Sequence, residues 1–184
     1  KGGKYFADHY LEVGGGPAAT AAVTIAKLGG EVEFWGRVGD GKIGDRIINE
    51  LNSYGVNTEY VKRIPAAQSS ISAVLVDKHG ERIIINRLTP GLDPDPSWLP
   101  LERIASQNGV LADSRWTEGA ELVFKKARAA GIPALLDADS TPDNQTAKLV
   151  ALASHVAFSK NGLEAMGADE DVIRALKQIN TDYD

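Results

Sequence analysis

Residues 109–139 read GVLADSRWTEGAELVFKKARAAGIPALLDAD, and this stretch decides the class of fold. Two apolar runs, at 110–112 and 132–137, flank a segment at 118–130 whose apolar residues recur at helical spacing. Apolar strands joined by an amphipathic helix are typical of a parallel sheet that is covered on both faces. The stretch therefore predicts a β-α-β unit within an α/β domain.

The same alternation of strands and helices extends to both sides of this unit. Pro17 suits a first helical turn, and Gly29 and Gly55 suit helix ends. The patterns predict strands at 32–35 and 156–158, helices at 18–28, 44–54 and 146–153, and short helices after Asn161 and Asp169.

Four further segments alternate polar and apolar residues, which is typical of strands with one solvent-exposed face. They span residues 4–13, 59–63, 70–76 and 82–86. Residues 77–81 read DKHGE and predict a turn between the last two of these strands. We expect the segments to form a small β element that is separate from the α/β core.

The composition limits the classes of function. Of the 184 residues, 43% are hydrophobic and 24% are charged, as in an ordinary globular domain. Acidic residues outnumber basic ones by 25 to 20, so we do not expect a nucleic-acid partner. The absence of cysteine excludes disulfides, thiolate metal sites and cysteine nucleophiles. No apolar run approaches the roughly 18–20 residues of a membrane span, and no segment predicts a signal peptide, so we expect a cytoplasmic protein without a membrane partner.

Polar residues follow three of the predicted strands at the positions where those strands end. They lie at 113–115, 137–139 and 159–161. Ligands of open α/β sheets bind beyond the carboxyl ends of the strands, so these residues predict a binding site at one sheet edge. The alternative is that they are simply polar turns. Arg115 lies beyond a buried strand, and its guanidinium suits an oxyanion on a ligand.

A glycine-rich turn precedes the first predicted helix. Residues 14–19 read GGGPAA and formally match the dinucleotide pattern G-x-G-x-x-[GA]. The polar segment before Gly14 argues against a dinucleotide-binding oxidoreductase, whose first strand is apolar. We expect instead that the glycines let a ligand approach the backbone while amides at the helix start bind its oxygens. A tight strand-to-helix turn is the alternative.

These motifs together resemble the N-terminal signature of PfkB/ribokinase-family sugar kinases. GGGP at 14–17 is followed by GRVGDGKIG at 36–44 and by LNSYGV at 51–56, with glycines at the family spacing. NGLE at 161–164 resembles the family's N-x-x-E motif, which helps to organise Mg²⁺ and phosphates. The resemblance implies a ribokinase-like α/β fold, with a mostly parallel sheet flanked by helices and a small β-sheet lid.

The resemblance also implies how the chain is divided and what it binds. Residues 14–55 and 87–184 would form part of the α/β core, and residues 1–13 and 56–86 would form the lid. The lid strands are expected to join two copies of the chain in a homodimer. The expected ligands are a small sugar and ATP, with Mg²⁺ as the metal.

Several site residues follow from the same resemblance. Gly14, Gly15 and Gly16 would line the sugar site. Asn161 and Glu164 would associate with the nucleotide and Mg²⁺, with Glu164 acting on the metal through water. The catalytic base of the family belongs to a G-A-G-D motif that the 184 residues lack, and the first core strand is expected to precede them. We therefore expect a fragment with no catalytic residue of its own.

Within the family, four segments look closest to bacterial 6-deoxy-6-sulfofructose kinases, which phosphorylate the 1-hydroxyl of an anionic ketose. These segments are 3–7, 13–20, 81–86 and 111–116. In such enzymes a lysine, an asparagine and an arginine surround the sulfonate, and the matching residues are Lys4, Asn86 and Arg115. Fructose 6-phosphate, a neutral ketose, ribose or a nucleoside are the alternative substrates. A non-catalytic sugar-binding or dimerisation domain is the alternative function.

Overall fold

The chain alternates helices and strands along most of its length. The computed structural model describes residues 4, 6–87, 91–141, 145–167 and 171–183. The helices are α1 (Pro17–Lys27), α2 (Lys42–Ser53), α3 (Thr117–Ala129), α4 (Thr146–Val150), α5 (Lys160–Ala165) and α6 (Val172–Tyr183), and a 3₁₀ helix spans Leu101–Ser106. The strands are β1 (Gly36–Gly39), β2 (Val61–Ile64), β3 (Ile71–Val76), β4 (Arg82–Arg87), β5 (Val110–Asp113), β6 (Ala134–Ala138) and β7 (His155–Phe158).

Strands β5, β6 and β7 form a parallel sheet in this order. The register places Leu111 of β5 opposite Leu135 of β6. Helix α3 connects these two strands and contributes Phe124, which is fully buried, to the core beside them. The β-α-β unit predicted from residues 109–139 is therefore confirmed.

The main core lies on one face of this sheet. Its largest buried side chains are Ile104 of the 3₁₀ helix, Phe124 of α3, Leu136 of β6 and Leu149 of α4. The other face is more open, because Leu111 and Leu135 are each 39% exposed. The expectation that both faces are covered is not met for β5 and β6 within the described residues.

Strands β1 and β2 form a separate parallel pair, which corrects two predictions. The strand expected at 32–35 is found instead at Gly36–Gly39, and Glu33 makes only an isolated bridge to Asn57. The strand expected at 59–63 corresponds to β2, and it pairs with β1 rather than with the small sheet. This segment therefore extends the parallel part of the fold.

Close packing explains why a segment with two glycines forms β1. A Cβ on Gly39 would lie 2.3 Å from the carbonyl oxygen of Ala67, and the Gly39 N–H donates to Ser69 Oγ at 3.0 Å. Val38, the preceding residue, is buried. The strand depends on a backbone approach that only glycine permits, and hydrophobic periodicity does not report such an approach.

Residues 6–13 form no strand, and the strand expected at 4–13 is wrong. Their large hydrophobic side chains are exposed, and an ion pair between Glu12 and Arg46 of α2 links the segment to the rest of the chain. An alternating pattern produces a strand only when a neighbouring strand supplies hydrogen-bond partners. None of the strands in the described ranges pairs with this segment.

Strands β3 and β4 form an antiparallel hairpin, as predicted. In the turn, Asp77 Oδ1 accepts hydrogen bonds from the N–H groups of His79 and Glu81, and Gly80 has a φ of +83°. Every residue of both strands is exposed, so neither face of the hairpin is covered. The small sheet has two strands in the described part of the chain, and the division into core and lid stays a prediction.

The helices agree with the predictions in type and differ at their ends. Helix α4 ends at Val150, before the expected end at residue 153. Asp169, after which a short helix was expected, lies outside the described residues, and the twelve-residue α6 begins at Val172. No helix in the described ranges is long and apolar enough to cross a membrane.

We expect Leu136→Ala to lower the free energy of unfolding by about 2–5 kcal/mol, because it leaves a cavity where the side chain is 1% exposed. Leu135→Ala is the matched control: its side chain points to the opposite face and is 39% exposed, so we expect a loss of about 1 kcal/mol. Urea unfolding followed by circular dichroism measures both losses. Equal losses would contradict a core on one face of β6.

Candidate functional site

Polar side chains from the carboxyl ends of β5, β6 and β7 meet at one edge of the sheet. Arg115 follows β5, Asp139 follows β6 and Ser159 follows β7. Arg115 Nη2 lies 3.0 Å from Asp139 Oδ2, and Ser159 Oγ donates to Asp139 Oδ1 at 2.7 Å. The convergence expected from the three polar clusters is therefore confirmed.

Asp139 is held by its main chain as well as by its side chain. Its carbonyl oxygen accepts from Thr146 Oγ1 at 2.9 Å and from Ser114 Oγ at 3.3 Å. Thr146 and Ser114 are 1% and 3% exposed. Because a buried hydroxyl without an acceptor is destabilising, both contacts fix the end of β6.

Asp113, the last residue of β5, connects the sheet to the glycine-rich turn. Its Oδ2 accepts from the Ala18 N–H at 3.1 Å, and its Oδ1 accepts from the Arg115 N–H at 2.9 Å. Ala18 lies in the first turn of α1, where a carboxylate is favoured by the helix dipole. The sequence predicts that the amides at the start of α1 bind ligand oxygens. In this structure the Ala18 amide instead donates to Asp113.

The glycine-rich turn leaves open backbone beside this edge. A Cβ on Gly15 or Gly16 would meet no atom within 4 Å, and Gly16 has a φ of +97°. Gly14 differs, since its N–H donates to Glu50 Oε1 at 2.8 Å. A dinucleotide fingerprint requires a strand directly before the glycines, and residues 6–13 are not a strand.

Asn86 and Arg115 line the same broad cleft as Gly14, Gly15 and Gly16. The cleft has a volume of about 3550 Å³, several times the roughly 300–1,000 Å³ of an ordinary small-molecule pocket. The hairpin and residues of β1 and β5 also line it. A small sugar would therefore fill only part of this space.

Lys4 is not brought to this cleft. Its Nζ lies 5.3 Å from the centroid of the Phe6 ring, and Lys4 is not among the lining residues. Asn86 is fixed on the hairpin, where its Oδ1 accepts from Ser72 Oγ at 2.6 Å. Of the three residues predicted to surround an anion, Asn86 and Arg115 share the cleft and Lys4 does not.

Asn161 and Glu164 are exposed side chains one turn apart on α5. The helix starts after Ser159, whose Oγ accepts from the Gly162 N–H at 2.9 Å. A Cβ on Gly162 would lie 2.1 Å from the Ala138 carbonyl oxygen, so glycine lets α5 begin directly against the end of β6. Across the ranges that the structure describes, no group of three or more His, Cys, Asp or Glu residues could hold a metal ion.

An aromatic stack beside Arg115 was not predicted. The rings of Trp98 and Trp116 stack with 5.7 Å between their centroids. The Arg37 guanidinium lies 4.2 Å from the Trp116 centroid, and Lys62 Nζ lies 5.4 Å from the Trp98 centroid. These four residues are far apart in the sequence, and the position of Trp116 directly after Arg115 is the only signal that could have indicated one of them.

Asp137, within β6, has a pKa above its ordinary value. Burial is the main cause, the charges of Asp113 and Asp139 add to it, and the charge of Arg115 opposes it. The sheet edge thus combines three carboxylates with one guanidinium. The excess of negative charge disfavours ionisation of Asp137.

We expect Asp137→Asn to raise the free energy of unfolding at pH 7 by up to about 1 kcal/mol, because asparagine carries no charge that the site disfavours. The raised pKa means that folding favours protonated Asp137. The stability that protonated Asp137 contributes to the folded state is therefore present at acid pH. It is lost as the pH rises from about 3.8, the ordinary pKa, through the raised pKa of the folded state. The advantage of the variant should shrink as the pH falls towards 3.8, as measured by urea unfolding at several pH values.

Asp45→Asn is the matched control for this prediction. Asp45 Oδ1 lies 2.5 Å from Arg63 Nη1 in an exposed ion pair, so removing its charge should leave stability unchanged or slightly lower. A loss of stability at pH 7 in Asp137→Asn would contradict the electrostatic account of the sheet edge.

Comparison with known proteins relates the chain to sugar kinases. Residues 7–183 match the profile of the pfkB family carbohydrate kinases. The sequence is 30% identical over 189 residues to a fructokinase from Vibrio alginolyticus, covering 92% of this chain and 60% of that protein. The chain spans about three-fifths of the length of the curated fructokinases that it matches.

Solved structures show the same fold. A crystal structure from Agrobacterium tumefaciens, named there as a candidate ribokinase, has a TM-score of 0.93 at 33% identity and covers 100% of this chain and 60% of that one. The fructokinase from Xylella fastidiosa with bound ATP has a TM-score of 0.69 at 25% identity, with 89% and 57% covered. The ribokinase-like α/β fold is confirmed, and the chain belongs to the pfkB family of carbohydrate kinases.

Proposed function

We propose that the chain forms the sugar-binding part of an ATP-dependent kinase that phosphorylates a hydroxyl of a small sugar. Family membership supports this class of reaction. The observation that carries the proposal is the junction at which Asp113 of β5 accepts from Ala18 of α1, beside the open backbone of Gly15 and Gly16. A small polyhydroxylated ligand suits this junction, because the glycines allow close approach and each Asp113 oxygen, which accepts one backbone N–H, can accept a second hydrogen bond from a ligand hydroxyl.

For the substrate we propose an anionic ketose that is phosphorylated on its 1-hydroxyl, with 6-deoxy-6-sulfofructose as the first choice. Arg115 and Asn86 line the same cleft, and the Arg115 side chain is 41% exposed. A guanidinium with an amide donor suits a sulfonate or phosphate and exceeds what a neutral sugar needs. Lys4 would join them only after movement of the N-terminal segment.

A neutral ketose such as fructose is the second candidate, and one observation favours it. Arg115 is already paired with Asp139 at 3.0 Å, so part of its charge is neutralised. The similarity to a fructokinase from Vibrio alginolyticus points in the same direction. The charge of the preferred sugar therefore distinguishes the two candidates.

In this proposal, ATP phosphates and Mg²⁺ would lie near the start of α5. Asn161 and Glu164 offer an amide and a carboxylate oxygen, which are the ligand types that Mg²⁺ prefers. Glu164 would act through water, since Mg²⁺ usually keeps several waters, and the bound ion would neutralise charge on the transferred phosphoryl group. The G-A-G-D motif that the family resemblance links to the base does not occur in the sequence, so we assign the proton acceptor to a part of the whole protein outside these residues.

We also propose that the hairpin joins two copies of the chain in a homodimer. The register gives the hairpin one largely apolar face, which consists of Ile71, Ala73, Leu75, Ile83 and Ile85, with Arg87 at its end opposite Ile71. All of these residues are exposed in the single chain. Asn86 lies on the opposite face with Ser72. An exposed apolar patch favours a partner, and the face that carries Asn86 stays available for the sugar.

Release of ADP by the whole protein tests the reaction class, with ATP, Mg²⁺ and either sulfofructose, fructose 6-phosphate or fructose. We expect the highest kcat/KM with sulfofructose. No ADP release with any sugar would contradict the kinase proposal. If fructose is the only sugar that is turned over, the proposal of an anionic substrate is wrong and the second candidate, a neutral ketose, takes its place.

In the same assay, Arg115→Ala should raise the KM for the anionic sugar by about tenfold, because a charge-assisted hydrogen bond is worth about 1.5–3 kcal/mol. The KM for fructose should change by less than about twofold. Arg63→Ala is the matched control, since it removes an exposed arginine from another Arg–Asp pair. Equal losses for the charged and the neutral sugar would count against the role of Arg115.

The dimer is tested by sedimentation velocity of the whole protein. Ile83→Lys places a charge in the part of the largely apolar face that lies away from Arg87, and should give a monomer, because a buried unpaired ammonium is strongly unfavourable. Ile84→Lys places the same charge on the opposite face and should leave a dimer. A monomeric wild-type protein, or equal effects of the two variants, would overturn the proposed interface.

A further inference from the structure

We infer that Asp139 sets the affinity of Arg115 for anions by competing with the anionic group of a ligand for the guanidinium. This inference rests on the proposed function, which places an anionic end of the sugar at Arg115. Asp139 Oδ2 lies 3.0 Å from Arg115 Nη2, and the two side chains are 33% and 41% exposed. The pair is therefore open enough for a ligand to reach and displace.

The two oxygens of Asp139 have different partners. Oδ2 faces Arg115, whereas Oδ1 accepts from Ser159 Oγ at 2.7 Å and from the Ser140 N–H at 2.9 Å. Ser159 Oγ in turn accepts from the Gly162 N–H at the start of α5. An anion that takes Arg115 from Oδ2 can leave the contacts of Oδ1 intact. The competition therefore need not disturb the helix that carries Asn161 and Glu164.

Three carboxylates lie near Arg115, and Asp139 is the one that can compete with a ligand for the guanidinium. Asp113 binds the main-chain N–H of Arg115 and the N–H of Ala18, so its oxygens are engaged by the backbone. Asp137 is close enough for its charge to interact with that of Arg115, but burial disfavours its ionised form. Among the residues that the structure describes, Asp139 is the carboxylate that contacts the guanidinium itself.

The competition predicts a charge-dependent effect on ligands. A sulfonate or phosphate must displace a carboxylate from Arg115, whereas a neutral sugar meets no such requirement. Removing the charge of Asp139 should therefore strengthen the binding of anions and leave neutral sugars unchanged. A merely structural role of Asp139 would instead weaken both.

Asp139→Asn tests this directly in the whole protein, with inorganic sulfate as the probe and isothermal titration calorimetry as the measurement. Asparagine can keep an oxygen towards Ser159 and Ser140 while presenting an amide group, which is a donor, to Arg115. We expect sulfate to bind about two- to fivefold more tightly, since a partly exposed ion pair is weak. Ser159→Ala is the control that removes a hydrogen bond and no charge, and it should give no gain.

A double variant tests whether Arg115 is the cation whose sulfate affinity increases when the charge of Asp139 is removed. Arg115→Ala combined with Asp139→Asn should bind sulfate no more tightly than Arg115→Ala alone. A gain in sulfate affinity that persists without Arg115 overturns the inference. Unchanged or weaker sulfate binding by Asp139→Asn also overturns it. So does the absence of sulfate binding by both the wild type and this variant. If Asp139→Asn does not fold, Asp139→Ser carries the same expectation, because it also removes the charge and keeps the main-chain carbonyl that accepts from Thr146 and Ser114.

Sulfate binding needs neither ATP nor turnover, so this test is separate from the kinase assay. No ADP release with any sugar contradicts the proposed function, while the sulfate titration still decides the role of Asp139. Conversely, normal turnover of an anionic sugar with no change in sulfate affinity in Asp139→Asn contradicts the inference alone.

Discussion

At the carboxyl end of β6, Asp139 connects three other elements through one carbonyl group and one carboxylate. The carbonyl accepts from Thr146 of α4, Oδ1 accepts from Ser159 before α5, and Oδ2 pairs with Arg115 after β5. Each hydrogen bond contributes only about 0.5–1.5 kcal/mol, but all of them converge on one residue. Displacement of Asp139 would therefore disturb two helix starts and the candidate anion-binding arginine together. The geometry of the candidate site depends on this junction more than on any group that would touch a sugar.

Glycine is what allows helices to begin so close to the ends of strands. A Cβ on Gly162 of α5 would lie 2.1 Å from the Ala138 carbonyl oxygen, and a Cβ on Gly44 of α2 would lie 2.0 Å from the Gly39 carbonyl oxygen. The same close approach thus occurs at the end of β6, against which α5 begins after β7, and at the end of β1, which α2 follows. In both places a helix starts at the edge where ligands of α/β proteins bind. At Gly44, the glycine spacing that supports the family resemblance has a direct steric reason.

The sequence predicts what is local and buried, and it does not predict what depends on a distant partner. The β-α-β unit at 109–139 was predictable because apolar runs and helical spacing both reflect burial in the same core. Residues 4–13 alternate like a strand, yet alternation carries no information about a neighbouring strand. The family resemblance indicated Arg115, and the structure places it in the cleft with Asn86. The partner of Arg115, 24 residues further along the chain, became visible only once the strand ends were side by side.

The stacked indoles have a consequence for how the protein can be observed. Trp98 and Trp116 are two of the three tryptophans, and their rings lie 5.7 Å apart beneath the Arg37 guanidinium. Trp116 directly follows Arg115, so a stack of two of the three tryptophans adjoins the candidate anion site. A displacement of Arg115 therefore changes the surroundings of an emitter that the protein already contains. Events at this edge of the sheet have an optical signal that requires no label.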